Sequence, residues 1–293
     1  MTGRRARSPA GRPRVRRVSG PGESHDGLHA YWTVVGGRPL FARVSGPPAR
    51  ADAPAVVMVH GLIVSSRYMV PTAKRLAPYC RVYIPDLPGY GHSAKPPCTL
   101  NVPALADALA GWMQAVGLRH AVLLGNSFGC QIVVDLAARY PERVERIVLI
   151  GPTTDPHART AHQQVAHWLL NLPGEPVPLG FVVARDVWDM GPHRALATFR
   201  YMLRDDIAVK LPRVGAPTLV VRGGRDTSVP QRWAEEATRL LPRARLIVIP
   251  GAAHTLNYNS PKKLLRAILP FVLGLDGPGG SSALAAPSAR RLS

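Results

Sequence analysis

The chain has 293 residues, 46% of them hydrophobic, and a formal net charge of +19. Such a length and content support one domain with a large core, and the absence of an internal repeat or a membrane-spanning apolar run argues against solenoid and transmembrane classes. Seven arginines fall in the first seventeen residues, leaving +12 (19 minus 7) spread without a basic run or aromatic interleaving, which argues against a dedicated nucleic-acid surface and leaves weak, salt-sensitive adhesion as the expectation.

Residues 1–26 are rich in Arg, Pro, Gly and Ser and are expected to form a disordered tail. Arg16 and Arg17 are followed by Val18-Ser19-Gly20-Pro21 rather than an apolar stretch, so an export signal is not expected. Short apolar, β-branched runs then predict strands at 31–35, 39–45, 55–60, 81–84, 121–125, 144–150, 217–222 and 245–249. The first two flank Gly36-Gly37 and read as a hairpin. Helical periodicity predicts helices at 66–78, 102–116, 128–139, 231–241 and 261–273. Strands alternating with helices imply a mostly parallel sheet covered on both faces. A long insertion at 154–211 breaks the alternation, with helical stretches at His157–Leu170 and His193–Lys210. The stretch 276–293 is again Gly, Ser, Ala and Pro rich and is read as a second disordered tail, leaving 27–275 as the folded domain.

Gly125-Asn126-Ser127-Phe128-Gly129 joins the strand at 121–125 to the helix that follows. A G-x-S-x-G pentapeptide in that context is a nucleophile elbow: the serine sits in a strained turn, and Gly125 and Gly129 are small because side chains there would collide. The scheme requires an acid and then a histidine on later strand-ending loops. Asp226 follows the strand at 217–222 and His254 follows the strand at 245–249. A serine hydroxyl needs an imidazole to take its proton, and the imidazole needs a carboxylate to fix its tautomer. Ser127, His254 and Asp226 fit those roles in chain order, with Asp155, after the strand at 144–150, as a rival acid. The oxyanion of the reaction needs two waiting backbone N–H groups. Phe128 is expected to give one and Leu62, just past the strand ending His60-Gly61, the other. His60 is expected to shape that loop rather than transfer a proton.

With these residues the chain resembles the α/β-hydrolase superfamily from about Tyr31 to Leu275. Asp86-Leu87-Pro88-Gly89-Tyr90-Gly91-His92-Ser93 is similar to the family's D-x-P-G-x-G-x-S turn, and Tyr140-Pro141-Glu142-Arg143-Val144 to its exit from the helix behind the nucleophile. The resemblance implies an α/β fold with an eight-stranded, mostly parallel sheet and a helical cap inserted after the sixth strand. It also implies a serine hydrolase acting on an ester, lactone or thioester through an acyl-enzyme, since the family's haloalkane and epoxide branches carry an acid where Ser127 stands. A carbon–carbon hydrolase of the ring-cleavage-product type shares the triad, but that group usually has Trp after the histidine, where this chain has Thr255-Leu256. A product-release or acyl-transfer enzyme of a biosynthetic pathway is a further alternative. Trp168, Trp188 and Phe199 in the insertion are candidate pocket residues. The expected partner is a small-molecule acyl substrate, with no cofactor, metal, membrane or specific nucleic acid; a homodimer is compatible with the sequence. Cys80, Cys98 and Cys130 are too irregularly placed for a disulfide framework or zinc site, as expected for a cytoplasmic protein. The dominance of Arg over Lys, with abundant Ala, Pro and Gly, suggests a high-GC bacterial gene.

Overall fold

The computed structural model describes residues 27–48 and 50–275, so the tails expected at 1–26 and 276–293 lie outside the described residues. Eight strands form one sheet in the order β1-β2-β4-β3-β5-β6-β7-β8. They are β1 (Leu28–Val35), β2 (Arg38–Ser45), β3 (Ala55–Val59), β4 (Arg81–Pro85), β5 (Ala121–Asn126), β6 (Val144–Ile150), β7 (Thr218–Gly223) and β8 (Ala244–Ile249). β1 pairs with β2 and β2 with β4 antiparallel, and every other pairing is parallel. The predicted strands therefore stand, with β1 starting three residues earlier than expected (31 minus 28).

Both faces of the sheet are covered, which is why the central strands are apolar throughout rather than alternating with polar residues. Val57, Val59, Leu123, Ile147 and Val220 point into one core, shared with α2 (Val102–Ala115), α3 (Phe128–Arg139) and α8 (Gln231–Leu240). Their neighbours Val56, Met58, Val122, Val148 and Val221 enter the other, shared with α1 (Ser66–Leu76) and α10 (Pro261–Val272). α2 illustrates the local rules. Asn101 caps it by accepting the Ala104 N–H at 3.0 Å, Pro103 occupies the first turn where its missing N–H costs nothing, and Leu105, Leu109, Trp112 and Met113 fall on one buried face.

Between β6 and β7 the chain leaves the sheet to form α4 (Ala161–Asn171), α5 (Val177–Met190), α6 (Pro192–Arg204) and the short α7 (Ile207–Lys210). This corrects the sequence reading in two ways. α5 is a helix that the sequence reading does not place: a proline in the first turn is compatible with a helix, and Leu179, Asp186 and Met190 form its buried side. The stretch at 193–210 divides into α6 and α7 at Asp205, whose carboxylate pairs with Lys210. A final short helix, α9 (Leu256–Asn259), follows β8.

Asp186 fastens α5 to the body of the molecule. It accepts the Ser65 N–H at 2.7 Å and the Ser65 hydroxyl at 3.0 Å, and pairs with Arg67. Arg194 of α6 donates to the Pro96 carbonyl at 2.7 Å, and Gln131 of α3 to the Met202 carbonyl at 3.0 Å.

Candidate active site

Ser127 is the residue between β5 and α3, with φ 54° and ψ −121°. A non-glycine residue held there costs about 1–3 kcal/mol and persists only where its surroundings dictate it. Those surroundings are visible: the Ser127 N–H donates to the Ile150 carbonyl of the neighbouring strand at 2.9 Å. A side chain at position 125 would lie 2.8 Å from the Gly129 carbonyl oxygen, and one at position 129 would collide with the Val59 and His60 carbonyls. Both elbow glycines are thus fixed by close approach of backbone to backbone.

Asp226 lies in the loop after β7 and His254 in the loop after β8, and the structure brings them together: His254 Nδ1 stands 2.8 Å from Asp226 Oδ2. The other carboxylate oxygen of Asp226 accepts the N–H groups of Ser228 and Val229 at 2.9 and 3.0 Å. The buried Arg222 braces the same loop from behind, donating to the carbonyls of Asp226 and Val229 at 2.9 and 2.6 Å. Burial works against charge on His254, but the Asp226 carboxylate outweighs it through charge and hydrogen bond, with Glu175 adding to it, and the pKa stands above the ordinary histidine value. The rival acid Asp155 is turned elsewhere. It accepts from Arg232 at 2.6 Å and from the His157 N–H at 2.9 Å.

Leu62 and Ser127 line one cavity, and a Cβ placed on Gly61 would lie 3.5 Å from Ser127 Cβ, so the turn after β3 runs beside the serine. Phe128 opens α3, and its N–H is one of the first-turn donors that no intrahelical carbonyl can take. Ile63 holds φ 53°, a strained value for a β-branched residue, in the same turn. His60 is buried and bridges two loops, with Nδ1 3.0 Å from the Gly61 carbonyl and Nε2 accepting the Leu87 N–H at 3.2 Å. Burial pushes its pKa down despite the nearby Asp86. A neutral ring with both nitrogens committed to backbone shapes the loop, as expected. Asp86 does related work, accepting the N–H groups of Ser66 and His92 at 2.7 and 2.9 Å.

The cavity has a volume of about 730 Å³, within the range of small-molecule sites. Its floor carries Asn126, Ser127 and His254, and its roof is built by the insertion, including Trp168, Leu179, Val183, Leu196, Phe199 and Met202. Trp168 and Phe199 both line this cavity. Trp188 does not: it is 87% exposed on the outer side of α5 and absent from the cavity wall. Three contributors were not anticipated. Gly151, at the end of β6 with φ 56°, leaves room for the histidine, since a Cβ there would lie 3.0 Å from His254 Cε1 and 3.3 Å from Asp226 Oδ2. Asn171 of α4 donates to Ser228 Oγ at 2.6 Å, beside the acid. Glu175 binds Thr255, next to the histidine. A positive-φ glycine just past a strand was the one local signal; the other two are contacts across 57 and 80 residues with no local trace.

Residues 54–179 match the family model described as alpha/beta hydrolase fold, and residues 202–268 that of TAP-like protein. The chain belongs to the α/β hydrolases. The hydrolase is 27% identical over 249 residues to the 2-(acetamidomethylene)succinate hydrolase of Mesorhizobium japonicum, covering 76% of this chain and 89% of that one. It is also 27% identical over 253 residues to carboxylesterase YbfK of Bacillus subtilis, covering 78% and 83%. Among solved structures, a membrane phospholipase A described as a bacterial virulence factor superposes with a TM-score of 0.72 at 23% identity, over 85% of this chain and 87% of that one, a likeness of fold. Among the described residues of the hydrolase no helix is long and apolar enough to cross a membrane.

Proposed function

We propose that this α/β hydrolase is a serine hydrolase of carboxylic esters, working through an acyl-enzyme on Ser127. The observation that carries the reading is the His254–Asp226 contact of 2.8 Å on the wall of the same cavity that exposes the strained Ser127. With Nδ1–H donated to Asp226, Nε2 of His254 is left as the acceptor for the Ser127 proton. Attack by the serine oxygen on the ester carbonyl forms the tetrahedral intermediate, whose oxyanion the N–H groups of Phe128 and Leu62 receive. His254 then gives the proton to the leaving alkoxide, and a water activated by the same imidazole hydrolyses the acyl-enzyme. The insertion acts as the cap: it covers the acyl group with Leu179, Val183, Leu196, Phe199 and Met202, and an apolar roof both selects the substrate and limits water. The likeness to a carboxylesterase supports the choice of ester.

A fluorophosphonate probe should label Ser127 and no other serine, as read by peptide mapping. Ser127→Ala should keep its circular dichroism and melting temperature while kcat for 4-nitrophenyl esters falls by about 10⁴ to 10⁶, the range for losing a triad nucleophile. Label on another serine, or ester hydrolysis surviving in the alanine variant, would refute the assignment.

A further inference from the structure

One charged side chain on the cavity wall is hydrogen-bonded to none of Ser127, His254 and Asp226. Glu175 sits where the insertion turns from α4 into α5. Its Oε1 accepts the Thr255 N–H at 3.3 Å, and its Oε2 accepts the Thr255 hydroxyl and, at 3.2 Å, the Asn259 side-chain N–H. These three donors hold the carboxylate at the residue following His254. A Cβ on Gly174 would come within 3.3 Å of Ala253 Cβ, so this corner of the cap rests directly on the histidine loop. The wall as a whole is unusual for so basic a chain: among its described residues there is no Arg and no Lys, and Glu175 is the sole carboxylate.

No Arg or Lys on that wall can therefore neutralise an anionic substrate, and the Glu175 carboxylate opposes it. In a partly desolvated space like charges act at an effective dielectric well below that of water. Building on the serine-hydrolase reading, we infer that Glu175 makes the cavity a charge filter, admitting uncharged acyl groups and turning away those that end in a carboxylate. Glu175 and Asp226 both favour the imidazolium that forms when Ser127 attacks. The remaining titratable group lining this part of the wall is Tyr68, whose phenol burial and the two nearby carboxylates hold neutral.

The test compares 4-nitrophenyl butyrate with the 4-nitrophenyl monoester of succinate, two four-carbon acyl groups that differ by a terminal carboxylate. The wild-type enzyme should prefer butyrate in kcat/KM. Glu175→Gln should narrow that preference about tenfold or more, the scale of one removed like-charge interaction, and Glu175→Asp should restore it. The acid limb of the kcat/KM profile for butyrate should move to lower pH in Glu175→Gln, because His254 loses a negative neighbour and must be neutral to act as base. A merely structural contact would move neither. Should Glu175→Gln fail to fold, the wild-type enzyme itself decides with a third ester bearing a terminal trimethylammonium. A filter rejects the anion far more than the cation, whereas equal rejection of both signs would mean simple desolvation and overturn the inference. An unchanged butyrate-to-succinate ratio in a folded Glu175→Gln, with Ser127 still labelled by fluorophosphonate, overturns the filter alone. Failure of Ser127 to label, with no ester turned over, removes the hydrolytic reading and the filter together.

Discussion

Replacing Gly151 by alanine perturbs the site while every side chain assigned a chemical role stays in place in the sequence. Gly151 holds φ 56°, and an added Cβ would meet His254 Cε1 at 3.0 Å, His254 Nδ1 at 3.1 Å and Asp226 Oδ2 at 3.3 Å. Two costs follow. A left-handed conformation is strained for alanine by about 1–2 kcal/mol, which for a domain of this size lowers the melting temperature by roughly 2–8 °C. The contacts are also a few tenths of an ångström too short, so the imidazole must shift by that amount. Since a 1 Å misplacement of a catalytic group costs about 10² in rate, kcat should fall by about tenfold. Gly117→Ala is the control, because Gly117 has φ 80° and nothing within 4 Å of its would-be Cβ. Thermal melts monitored by circular dichroism and steady-state hydrolysis of 4-nitrophenyl butyrate would be run on both variants. The two should lose similar stability, and Gly151→Ala alone should lose rate. Wild-type kcat in Gly151→Ala, with a melting temperature lowered as in the control, would refute the view that His254 works from the position seen against the end of β6.

Asp226→Asn should retain the fold and slow ester hydrolysis by about 10⁴, since the imidazole loses the carboxylate that sets its tautomer. Asp155→Asn should leave kcat near the wild-type value and cost stability instead, because Asp155 faces Arg232; the reverse pattern of rates would move the acid to the loop after β6. Trp168→Ala and Phe199→Ala should shift the acyl-length optimum of a 4-nitrophenyl ester series towards longer chains by enlarging the cavity they line. Trp188→Ala should leave that profile unchanged, and a shift as large as that of the other two would contradict the placement of Trp188 on the outer side of α5.

The sheet was legible because every central strand is buried on both faces, and a short β-branched run such as 217–222 has no other easy reading. The pairing of Asp226 with His254 was legible for a related reason: parallel strands end on one edge, so the loops after β7 and β8 must converge there. The insertion was harder. Its helices lie on no repeating strand to set their phase, so which side of α5 would face outward could not be inferred, and Trp188 was misplaced as a result. α5 itself was hidden by Pro178 and Gly180, although Leu179, Asp186 and Met190 carry helical spacing. Glu175 and Asn171 leave no trace in the sequence pattern because their meaning comes from partners on distant loops. A lone glutamate between a glycine and a proline gives no sign that it will meet Thr255.

The contacts of the insertion fall unevenly on the loops that carry Ser127, Asp226 and His254. Asn171 binds Ser228 and accepts the Thr227 N–H at 3.3 Å, while Glu175 binds Thr255 and Asn259. Ser127 is held instead by β5, β6 and α3. The insertion is therefore one piece of joinery with the loops bearing Asp226 and His254, and Ser127 belongs to the frame. An engineer transplanting a cap from a relative by exchanging only the segment between β6 and β7 would leave Thr227, Ser228 and Thr255 facing strangers. An exchange that kept the roof seated would carry 226–229 and 253–259 with that segment and preserve the partners of Asp186, Arg194 and Met202 at Ser65, Arg67, Pro96 and Gln131.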